Sequence, residues 1–70
     1  MILNQRHLDM LVSQDEQRKM IEKIKSAKKG DEIYHGVTWE NHDVIETLFS
    51  RSGCSYYSAV AGYDCYYYKG

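Results

Sequence analysis

The sequence has no proline, two cysteines, one tryptophan and one phenylalanine among its 70 residues. Without proline, glycines, helix caps and polar clusters must mark where elements begin and end. Cys54 and Cys65 are too few for a disulfide framework. They read as reduced thiols of a cytoplasmic protein. No apolar run approaches the ~18 residues that a membrane span needs. Met1-Ile2-Leu3 is followed at once by Asn4-Gln5-Arg6, which leaves no apolar core for a signal peptide. Net charge is scarce as well: 9 basic and 10 acidic side chains leave −1. That balance argues against an acidic nucleic-acid mimic and against a binder held on nucleic acid by bulk positive charge.

Catalytic signatures are also missing. There is no nucleophile elbow, no HExxH and no phosphate-binding loop. Gly30, Gly36, Gly53, Gly62 and Gly70 are scattered and read as turns. The carboxylate pairs Asp15-Glu16 and Asp31-Glu32 stand where helix ends favour them. His35, His42, Cys54 and Cys65 lack the two-to-four-residue spacing of a zinc knuckle. No enzyme, cofactor or metal is expected.

What remains is ordinary globular material: 43% hydrophobic and 27% charged residues, enough apolar content to argue against disorder. A chain of this length is one domain that buries only about 60% of its unfolded surface. A deep substrate pocket has little room, so a working site belongs on the surface.

The pattern predicts a small α+β domain ordered helix-helix-strand-helix-strand-strand, with a three-stranded antiparallel sheet packed on helices. Helices are expected at about 4–12, 14–29 and 41–52, and strands at about 32–39, 55–61 and 64–69. Leu8, Leu11 and Val12 give the first helix its apolar stripe. Ser13 and Glu16 form a capping box ahead of the second. The stripe of Met20, Ile21, Ile24 and Ala27 is out of phase with the first, which predicts a break at Ser13. Gly30 is expected to end the second helix. Period-two alternation puts Ile33, His35, Val37 and Trp39 on one buried face of a strand, opposite Tyr34, Gly36, Thr38 and Glu40. Asn41 reads as the cap of the third helix, whose stripe is Val44, Ile45, Leu48 and Phe49.

Seven tyrosines stand out, six of them in the last 15 residues. A turn at Gly62-Tyr63 pairs Val60 with Cys65 toward the core. Tyr57, Tyr66 and Tyr68 then lie together on the outside, with Tyr67 within. Tyrosine has high strand propensity, which alone explains some of them. A cluster on one face offers rigid contact area and hydroxyl tips, which favours partner binding. The second feature is charge separation. Arg18, Lys19, Lys23, Lys25, Lys28 and Lys29 oppose only Glu22, while 31–49 is acidic. Such a run is commonly a solvated helix face, or else a surface for an anionic partner.

The resulting expectation is a non-enzymatic binding protein with a protein or nucleoprotein partner and no membrane. It would act as an inhibitor or adaptor of the accessory, counter-defence type found in phages and mobile elements, an inference from size. Its contact residues would be Tyr57, Tyr66, Tyr68, Tyr63, Tyr34, Lys19, Lys25 and Lys29. The alternative is a small nucleic-acid-binding module in which the tyrosines stack bases beside the basic helix. A self-associating subunit is a third reading, from an unprotected sheet edge.

Overall fold

The computed structural model describes residues 2–36 and 39–70. In chain order it contains α1 (Gln5–Leu11), α2 (Gln14–Ser26), β1 (Glu32–Gly36), α3 (Trp39–Ser52), β2 (Tyr56–Ala61) and β3 (Asp64–Lys69). The strands form an antiparallel sheet in the order β1-β3-β2, an α+β arrangement.

The break between the first two helices is local chemistry. The Asn4 side chain accepts from the His7 N–H at 2.8 Å, and the Ser13 hydroxyl accepts from the Glu16 N–H at 3.3 Å. Val12 and Ser13 between them are extended, so the chain turns instead of running on as one helix. Gln17 locks this corner. Its amide donates to the Asp9 carboxylate at 2.8 Å and to the Val12 carbonyl at 2.9 Å, which satisfies a buried polar side chain. Those bonds, first from Gln17 and then from Gln5, hold the Asp9 carboxyl below its usual range.

Three boundaries differ from the sequence reading. Helix α2 stops at Ser26, because Ala27 is already extended, and Lys28-Lys29-Gly30 form a turn. Gly30 occupies φ 92°, so glycine is needed there, but in that turn and not at the helix terminus. Helix α3 begins at Trp39, which places Asn41 inside it and not at its cap. Strand β1 ends at Gly36; Trp39 and Glu40, expected to carry the strand alternation on, belong to α3 instead, and the expected continuation through Val37 and Thr38 lies outside the described residues.

The core lies between the helices and one face of the sheet. It joins Leu3, Leu8, Ile24, Ile33, Val44, Ile45, Leu48, Phe49, Cys65 and Tyr67. Thr47, fully buried, ties the N-terminal segment to α3 by accepting from the Leu3 N–H at 2.8 Å. Phe49 and Tyr56 meet at a ring separation of 5.1 Å, and Tyr56 meets Tyr67 at 5.6 Å. Helix α3 therefore covers β3 and the Tyr56 end of β2.

Candidate functional site

The hairpin register decides which tyrosines share a face. Tyr57 pairs with Tyr68, Ala59 with Tyr66, Val60 with Cys65 and Ala61 with Asp64. Gly62 has φ 65° and no described non-glycine residue has positive φ, so Gly62-Tyr63 is a two-residue turn of type II′. Side chains alternate along β3: Cys65 and Tyr67 are buried against the helices, and Tyr66 and Tyr68 point away.

Strand β1 joins this face through a bulge. The register shifts between Glu32 and Tyr34, with Glu32 opposite Tyr68, Tyr34 opposite Tyr67 and His35 opposite Tyr66. An extra residue in one strand turns the following side chains over. Ile33 and Tyr34 thus both face the helices, and His35 is delivered to the outside. This corrects two expectations. His35 is exposed on the outer face instead of partly buried on the apolar one. Tyr34 is half-buried against the core cluster, and not part of the outer group. Burial pushes its hydroxyl pKa up.

On the outer face four rings make two cross-strand stacks. His35 and Tyr66 have centroids 5.3 Å apart with planes at 23°, and Tyr57 and Tyr68 are 5.2 Å apart at 20°. Both fall in the range of favourable offset stacking. Ala59 and Ala61 lie beside them, with the carboxylates of Glu32 and Asp64 on the same face. No described helix covers this side. Tyr63, 98% exposed at the hairpin tip, stands apart from the stacks.

The other face has a surprise at β2. Val60 has the inward register expected of it, but it is 76% exposed. All six residues of β2 are exposed, because the helices reach only as far as Tyr56. On this face burial first, then the nearby Glu46 charge, raises the pKa of Tyr67 far above the ordinary tyrosine value, and that of Tyr56 to a smaller degree.

The basic run is distributed. Arg18 pairs with Asp15 at 2.8 Å and Lys19 approaches Glu16 at 3.9 Å on α2 itself. The Lys23 ammonium donates to the Ile33 carbonyl at 3.2 Å. Lys25 contributes its backbone carbonyl to the Lys69 ammonium at 3.1 Å. Only the turn comes near the stacks: the Gly30 N–H donates to the Lys69 carbonyl at 2.7 Å, and a side chain at Gly30 would lie 3.9 Å from the Tyr57 hydroxyl. That brings Lys28 and Lys29 beside one end of the outer face. No contact among the described residues brings Lys19 to it, and Lys25 meets β3 through its backbone carbonyl alone.

Among the described residues no group of three His, Cys, Asp or Glu side chains could hold a metal, and both cysteines are free thiols. A cleft of about 220 Å³ between α2 and α3 is lined by Val12, Met20, Tyr34, Val44, Ile45 and Leu48, with Glu16 and Asn41 as its polar members. It brings no acid and base together. No described helix is long and apolar enough to cross a membrane.

No protein-family model matches the chain, and no curated protein or solved structure matches it either.

Proposed function

We propose that this protein is a non-enzymatic binding module for a protein partner, acting as an inhibitor or adaptor, with the outer sheet face as its working surface. The observation that carries the reading is the pair of ring stacks, His35–Tyr66 and Tyr57–Tyr68, on a face that no described helix covers. Rings already held by their neighbours lose little entropy on contact, and their hydroxyl and imidazole groups supply polar tips. Glu32 and Asp64 on the same face favour donors on the partner, such as arginine or backbone N–H groups, and repel a phosphate chain. An accessory role in phages or mobile elements, counter-defence included, fits the size of the protein and is the context in which to seek the partner.

A nucleic-acid reading is favoured by one observation: the Lys28-Lys29-Gly30 turn beside Tyr57. Base stacking with this turn on the phosphates would give affinity that falls steeply with salt.

Capture from a lysate of the native host, split into nuclease-treated and untreated halves, tests both. We expect a stoichiometric protein that survives nuclease and is lost with Tyr57→Ala and Tyr66→Ala, at about 2 kcal/mol for each hot spot. Lys28→Ala with Lys29→Ala should leave it bound. A signal abolished by nuclease, or by the lysine pair alone, rejects the protein-partner reading.

A further inference from the structure

The two edges of the sheet are treated differently. On β1 the strand is short and bulged, and the Lys23 ammonium is bonded to the Ile33 carbonyl. A bulge hinders pairing with another strand, and the Lys23 ammonium, reaching over from α2, occupies a carbonyl of β1. The β2 edge has neither. Its six residues, Tyr-Tyr-Ser-Ala-Val-Ala, carry no charge and no proline, pair with β3 without irregularity, and are exposed throughout.

The hairpin also fixes which backbone groups that edge offers. In a two-residue hairpin the closing pair, here Ala61 and Asp64, exchanges both hydrogen bonds, and bonding alternates from there. Ala61, Ala59 and Tyr57 therefore bond to β3. The Gly70 N–H donating to the Ser55 carbonyl at 3.0 Å keeps the same phase. The N–H and C=O groups of Tyr56, Ser58 and Val60 point outward.

We infer that β2 is a self-complementary edge that pairs antiparallel with β2 of a second copy of this chain, with Ser58 on the two-fold axis. In that register Ser58 meets Ser58, and Tyr56 meets Val60 of the second copy. The outward groups match in full, with about six backbone hydrogen bonds across the axis. On the inner face the ring of Tyr56 lies against the exposed Val60 side chain, an aromatic–β-branched pair. On the outer face Tyr57 lies opposite Ala59, so a large group meets a small one. A strand without charge brings no like charges together across the axis. Six strands would then form one sheet whose outer face carries both sets of ring stacks. The contact is made by the β2 edge and shares with the partner surface proposed above its outer-face residues Tyr57 and Ala59. A contact made along one six-residue edge strand is a small interface, of the kind that forms reversibly and not obligately.

Sedimentation of the full chain under reducing conditions, from about 10 μM to about 1 mM, tests the pairing at concentrations where small interfaces assemble. The mass should rise from monomer to dimer. Val60→Lys, at an exposed position, should move the midpoint at least ~10-fold higher, since it sets an ammonium against Tyr56 and removes the apolar pair. Ser58→Pro, which removes an outward N–H and no hairpin bond, should abolish dimerisation. If Ser58→Pro does not fold, Val60→Lys with an unchanged circular dichroism spectrum decides. Amide exchange should slow with concentration at Tyr56, Ser58 and Val60, and not at Tyr57, Ala59 or Ala61. A monomer at every concentration overturns the proposal. So does a dimer that Val60→Lys leaves intact, or concentration-dependent protection in the other phase.

Discussion

The hydroxyl of Tyr67 is a polar group carried into the core by a residue whose ring the core needs. Tyr67 is 3% exposed, and burial, with Glu46 and Cys65 beside it, favours its neutral form. Tyr34 and Tyr56 share that direction through burial. Because their folded-state values are raised, their contribution is full below about pH 10, where unfolded tyrosine is neutral. It is lost as pH rises from there toward the folded-state values. The urea midpoint should therefore start to fall near about pH 10 and go on falling above it. In Tyr67→Phe the fall should be smaller. An identical fall in the variant would show that Tyr67 is not the group responsible.

At the scale of elements, short-range bonds set the boundaries. The Ser13 cap and the extended Val12 separate α1 from α2, and α1, at seven residues, is too short to persist alone. Ser13→Ala should cost about 1 kcal/mol of stability, read from a urea melt. No change would mean that Gln17, and not the cap, holds the corner. The bulge in β1 has the opposite character. Nothing in Glu32-Ile33-Tyr34 announces it, and Ile33 looks like an ordinary inward residue of an alternating strand. The bulge exists because Ile33 and Tyr34 both find apolar surface on the helices, and its by-product is His35 on the outer face.

For the whole molecule, one core serves every element. Phe49 is fully buried, contacts Tyr56, and belongs to the cluster that spans all three helices and the sheet. Phe49→Ala should cost about 3–5 kcal/mol. A domain of this size has only about that much stability in total. The variant should be largely unfolded at 25 °C by circular dichroism. A cooperative melt with a small loss would mean that the helices and the sheet hold together without this residue.

The α+β order, the break at Ser13, the hairpin about Gly62-Tyr63 and the division of Tyr66 and Tyr68 from Tyr67 all follow from spacing, caps and turn chemistry. These are interactions between residues close in the chain, and they are written in it. Which surfaces the elements leave bare depends on how far the helices extend over the sheet, and no local pattern contains that. Val60 has a core-facing register and lies in solvent because α3 ends its cover at Tyr56. His35 stacks on Tyr66 because packing forced a bulge. The lysine-rich stretch, read as one basic helix, divides between α2 and a turn that reaches the tyrosines only through the hydrogen bonds of Gly30 and Asp31 to Lys69. Local periodicity determined the elements, and the long-range competition for buried apolar area decided which of their faces remain open.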